Sequence, residues 1–151
     1  MKRIILIVAG LLFISLSAQA LAQSGTIVVT PDQMKWAQAP KLPPGFQVVV
    51  LAGDPAKKGP YVMRVKLPPN AMIPPHMHSD TENITVLSGS FGLAEGKTAD
   101  KSKGRMLPAG SFYRLPAKTP HFAWTEADGA VVQIHGIGPS VLTMLKPAAQ
   151  K

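Results

Sequence analysis

The chain has 151 residues, no cysteine and a formal net charge of +8 at pH 7. That length suits one domain, and the missing thiols exclude disulfide scaffolds, zinc fingers, iron–sulfur clusters and cysteine nucleophiles. The basic clusters, Lys57-Lys58 and Lys97 to Arg105, form no stripe and are not interleaved with aromatics, so they read as solvated loops and no nucleic-acid partner is expected.

The chain opens on Met1-Lys2-Arg3, and an uncharged apolar run of 14 residues follows from Ile4 to Ser17. Small residues come next, Ala18-Gln19-Ala20 and Ala20-Leu21-Ala22. Basic start, apolar middle and A-x-A end describe a secretory signal peptide over residues 1–22, cut after Ala20 or Ala22. The run falls short of the roughly 20 residues that span a bilayer, so no stable membrane anchor is expected. The product is expected outside the cytoplasm, in the periplasm. Without Lys2 and Arg3, 14 bases face 8 acids, a net charge of +6.

Residues 23–44 read as an N-terminal arm. It holds an apolar β-branched run, Thr26 to Val29, and then a short helical turn over Pro31 to Trp36, with Thr30 as its cap. From residue 45 to 146 the pattern is short β-branched or aromatic runs: Phe46–Leu51, Tyr61–Leu67, Asn83–Leu87, Phe91–Ala94, Phe112–Leu115, Phe122–Trp124, Val131–Ile134 and Val141–Leu145. Turn residues divide them at Pro43-Pro44-Gly45, Gly53-Asp54-Pro55, Pro68-Pro69-Asn70, Pro108-Ala109-Gly110 and Asp128-Gly129. Fifteen prolines and no apolar stripe at helical spacing argue for an all-β domain, a sandwich or a closed barrel.

Two of the four histidines, His76 and His78, are two residues apart. On a strand such residues point to the same face, about 6.5–7 Å apart. Their ring nitrogens can therefore converge on one ion at bond lengths of about 2 Å. Glu82 has the same parity and can join if the strand bends. An H-x-H pair alone is also common on protein surfaces. The second stretch, Gly110 to Trp124, adds His121 after Pro116.

Together the two stretches resemble the two-part signature of the cupin superfamily. The first motif, G-x5-H-x-H-x3,4-E-x6-G, is matched by His76, His78, Glu82 and Gly89, with Asn70 where it has its leading glycine. The second, G-x5-P-x-G-x2-H-x3-N, is matched by Gly110, Pro116 and His121, with Lys118 and Thr125 at the inner glycine and the asparagine. More narrowly, Pro44-Gly45, Leu51 to Pro55 and Gly136 to Pro139 resemble small exported single-domain bacterial cupins without an assigned reaction. The resemblance implies a jelly-roll barrel (a double-stranded β-helix), often dimeric. It implies one divalent transition metal held by His76, His78, Glu82 and His121.

Three imidazoles and a carboxylate suit Fe, Mn, Ni, Cu, Co or Zn. Asp80 is a reserve ligand. Gln133 and His135 share one strand face: either Val132 and Ile134 face the core and the pair is outside, or the pair supports the ligands from within. Tyr113, Phe122 and Trp124 read as barrel wall. Arg64 and Arg114 are open to an acidic substrate or simply to solvent. Two functions stay open: a metal-dependent enzyme acting on a small oxygenated molecule (dioxygenase, isomerase or decarboxylase type), or a non-catalytic exported binding protein for a small ligand or the metal.

Overall fold

The computed structural model describes residues 25–146. The stretch read as a signal peptide lies outside the described residues. The strands are β1 Ala37–Gln38, β2 Gln47–Ala52, β3 Gly59–Leu67, β4 Met72–His78, β5 Glu82–Glu95, β6 Arg105–Pro108, β7 Phe112–Leu115, β8 His121–Gly138 and β9 Leu142–Met144. All pairings are antiparallel. The sheet runs β1-β2-β3-β8-β4-β9, with β5 joined to β6, β7 and β8. It curls into the jelly-roll barrel that the cupin resemblance implies.

The spine is β8. One flank pairs with β5 along almost its whole length, from Glu95↔His121 to Asn83↔His135. The other flank pairs with β4 near residues 121–124 and with β3 over residues 130–138. Side-chain alternation then builds the interior. Val132 and Ile134 of β8, Ile84 and Val86 of β5, and Tyr61, Val65 and Leu67 of β3 form one buried core. At residues 121–125 β8 is buried on both faces. Phe122 and Trp124 stack at 5.4 Å and pack with Ala94 in a second cluster outside the barrel.

Two expected breaks are not breaks. Ser88-Gly89-Ser90 lies inside β5, and Asp128-Gly129, read from sequence as a turn, lies inside β8. Both glycines have positive φ, +71° and +60°. The register between the two strands shifts on each side of Gly89. A Cβ on Gly89 would overlap the Gly129 carbonyl oxygen. The two strands therefore bend at the same level, where their backbones touch, and the bend turns the sheet into a barrel.

The arm differs from its sequence reading in two places. Thr26 to Val29 is not a strand, because it finds no neighbour among the described residues; Ile27 and Val28 are exposed. The turn shortens to a 3-10 turn over Pro31–Gln33, where the Thr30 N–H donates to Gln33 Oε1 at 3.1 Å. Further on, β1 adds an edge strand to β2, and Ala39 and Leu42 pack on the core.

Candidate metal centre

The site begins with a defect in β4. Ile73 pairs with Ala123 and His76 with His121, so three steps on β4 oppose two on β8. Pro74 and Pro75 occupy the bulge; prolines cannot donate to a ladder, and here none is needed. The extra residue changes parity, so Ile73, His76 and His78 all line the barrel cavity. It also sets His76 directly beside His121. Their ring centroids are 4.0 Å apart, with His78 at 5.1 Å from His76 and 5.5 Å from His121. One ring nitrogen from each of the three lies within 4.8 Å of the others.

Two of the rings are oriented alike. His76 Nδ1 lies 2.8 Å from the Pro74 carbonyl, and His121 Nδ1 lies 3.0 Å from the Thr119 carbonyl. Each partner is the carbonyl two residues upstream. A carbonyl can only accept, so both Nδ1 atoms carry the proton and both Nε2 atoms present a lone pair. Burial, then the neighbouring His121, pushes the His76 pKa down to about 3 and that of His78 to about 4. Burial lowers His121 as well, against the bond to Thr119. All three imidazoles are neutral at pH 7.

Glu82 opens β5 and is 1% exposed. Its Oε1 approaches His78 Nδ1 at 3.3 Å, yet this atom has no hydrogen-bond partner. Burial, then the charge of Asp80, raises the Glu82 pKa to about 8. The closely spaced set is the three histidines, with Glu82 against His78 at its side. Neutral imidazoles turned inward and a buried carboxylate oxygen without a donor make a cluster rich in lone pairs. That donor set fits a divalent transition ion.

The remaining sequence candidates divide. Asp80 is engaged elsewhere: its Oδ2 accepts from the Tyr61 hydroxyl at 2.9 Å, and it is outside the three-histidine set. Gln133 and His135 do not support the ligands, which corrects the inward alternative. Val132 and Ile134 take the inward positions of β8, so His135 is exposed. Gln133 accepts from Arg64 Nε and contacts His135 Nε2, both at 2.9 Å. Arg114 is exposed on β7.

Tyr113, read only as wall, also lines the cavity; burial and then the charge of Glu82 raise its phenol, so it stays protonated. Sequence reasoning missed it as a site residue, although its alternation with Phe112 and Arg114 was a usable sign. At the motif departures, Asn70 and Lys118 hold φ of +53° and +62°. Both keep the left-handed backbone that the motif's glycines serve. The Lys118 N–H donates to the His78 carbonyl at 2.8 Å, and the Thr125 hydroxyl donates to the Pro68 carbonyl at 2.7 Å.

The cavity bounded by these groups has a volume of about 400 Å³. No curated protein matches the chain. Among solved structures, KdgF from Halomonas sp. is similar at 22% identity and a TM-score of 0.59, over 76% of this chain and 96% of that one. The polyketide cyclase RemF from Streptomyces resistomycificus is similar at 20% and 0.65, over 81% and 88%. The DMSP lyase DddQ from Ruegeria pomeroyi DSS-3 is similar at 18% and 0.62, over 82% and 73%. At these identities the likeness is one of fold. The family model of the ChrR cupin-like domain matches residues 24–139. With most of its length inside that match, the chain belongs to the ChrR cupin-like family of the cupin superfamily.

Proposed function

We propose that His76, His78, His121 and Glu82 hold one divalent transition metal, and that the protein is a metal-dependent enzyme acting on a small oxygenated molecule. The observation that carries this reading is the cluster of three neutral histidines, His76 and His121 buried and His78 partly so, opening into a 400 Å³ cavity. An ion bound there would act as a Lewis acid toward substrate oxygen. The chain's own groups do the rest. The Pro74 and Thr119 carbonyls fix two ring orientations, Glu82 would supply a negative charge once an ion displaces its proton, and Tyr113 offers a protonated phenol at the wall. The fold neighbours include a cyclase and a lyase, so the reaction type follows from residues and not from the barrel.

The test is metal content after purification from the native compartment, followed by turnover on a panel of diketones, phenols and sugar acids. His76→Ala with His78→Ala should lower metal affinity by well over a hundredfold, since loss of an outer-shell partner alone costs about 10–100-fold. Unchanged metal content in the double variant would sink the assignment. A second reading, an exported protein that binds a small ligand or the metal without turnover, is favoured by one feature. Outside the ligand cluster, the cavity wall carries no carboxylate or imidazole among the described residues. Saturable binding with no product would select it. We propose export to the periplasm on the signal-peptide pattern of residues 1–22 alone, and cell fractionation with N-terminal sequencing of the mature chain would test it.

A further inference from the structure

The cavity wall separates sharply into one polar corner and an apolar remainder. The corner is the histidine cluster with Glu82. Away from it, the polar side chains on the lining are Lys41, Tyr113 and Ser140. Lys41 is exposed, and its Nζ lies 3.5 Å from the Leu142 carbonyl, so its charge stays with the surface. The body of the cavity is faced by Val48, Met63, Ile73, Ile84, Val132 and Ile134. The two strand arginines that could have met an acidic substrate are elsewhere: Arg64 is bound to Gln133 on the outer face, and Arg114 is exposed.

We infer that the ligand of this cavity has an apolar body and a single chelating pair of oxygens, and that polyhydroxylated or doubly charged molecules are rejected. The oxygen pair rests on the metal reading above; the apolar body rests on the wall alone. A volume of about 400 Å³ holds roughly a dozen water-sized groups at about 30 Å³ each. A hydroxyl or second carboxylate carried against Val48, Met63, Ile73, Ile84, Val132 and Ile134, away from the hydroxyls of Tyr113 and Ser140, would lose its water and find no partner. Each such group should weaken binding about tenfold or more. An aryl or branched alkyl body instead displaces water from apolar surface and gains affinity.

A series with one constant head group tests this. Cobalt-loaded protein is titrated with acetohydroxamate, benzohydroxamate and 4-carboxybenzohydroxamate, and the cobalt absorption band is read. Benzohydroxamate should bind at least tenfold tighter than acetohydroxamate, and the carboxylated probe at least tenfold weaker than benzohydroxamate. A carboxylated or acetyl probe that matches benzohydroxamate overturns the inference and leaves the metal reading intact. A second arm uses metal-free protein and watches the methyl resonances of Ile84, Val132 and Ile134 by NMR. Toluene should shift them and glycerol should not; resonances that ignore toluene overturn the inference. A protein that takes up no cobalt defeats the metal reading, and the apolar wall is then judged by this second arm.

Discussion

Protonation of the site residues gives two opposed pH dependences in the metal-free protein. The three histidines have folded pKa values below the ordinary imidazole value of 6.5. As pH falls through 6.5, the unfolded chain takes up these protons first and stability drops. Glu82 works the other way. It keeps its proton up to about 8 when folded, against an ordinary glutamate value of 4.5, so its contribution is full below 4.5 and is lost as pH rises toward 8. Three groups oppose one, so metal-free stability should climb from pH 4.5 to 6.5 and decline toward 8. Denaturant midpoints across pH check this, and a midpoint that falls steadily from pH 5 to 7 would contradict it. Metal binding at pH 7 should expel the Glu82 proton. Calorimetry in buffers of different ionisation enthalpy should count about one proton released, and about none for Glu82→Gln. Lys118 makes a separate point. It holds φ +62° where the family motif has glycine, a conformation costing roughly 1–2 kcal/mol for an L-residue. Lys118→Gly should therefore gain up to about 1 kcal/mol after glycine's own entropy is deducted, raising Tm by a few degrees.

At the scale of strands, the bends in β5 and β8 distinguish two costs of adding a methyl group. Gly110 has φ +87° and open space around its Cβ direction, whereas Gly89 has φ +71° and the Gly129 carbonyl in the way. Gly110→Ala should cost about 1–2 kcal/mol from backbone strain alone. Gly89→Ala should cost more than about 3 kcal/mol, because the neighbouring strand must also move. Urea unfolding of both variants checks the order. The same bends explain where the sequence was legible and where it was not. Gly and Asp-Gly punctuation ordinarily ends strands, and nothing local distinguishes a turn from a bulge that continues the ladder. Alternation put Val132 and Ile134 on one face and Gln133 and His135 on the other, but which face is inward depended on the partner strands. The H-x-H spacing brought His76 and His78 together. The Pro74-Pro75 bulge that seats His76 against His121 depends on pairing between β4 and β8, about forty-five residues apart, which no window of sequence contains. Tyr113 went unread for the same reason: a wall residue becomes a site residue only when the opposite wall is known.

For the whole molecule, metal and fold are linked through mass action. The cluster draws on β4, β8 and the start of β5, so the unfolded chain cannot assemble it. At a free-ion concentration a hundred times Kd, binding should add about 2.7 kcal/mol and raise Tm by roughly 8–12 °C, reversibly with a chelator. An unchanged Tm would mean that the ion does not distinguish folded from unfolded protein. The linkage has a direction in time, set by the spine strand. β8 supplies neighbours to β3, β4 and β5, yet begins only at His121. A polypeptide leaving a ribosome or a translocation channel amino end first presents three of the four candidate ligands well before the fourth. Until the last fifth of the chain emerges, the earlier strands have edges without partners and the ion has no complete cage. Acquisition of metal would then mark the closing of the barrel, and a chain truncated ahead of His121 would neither close nor chelate.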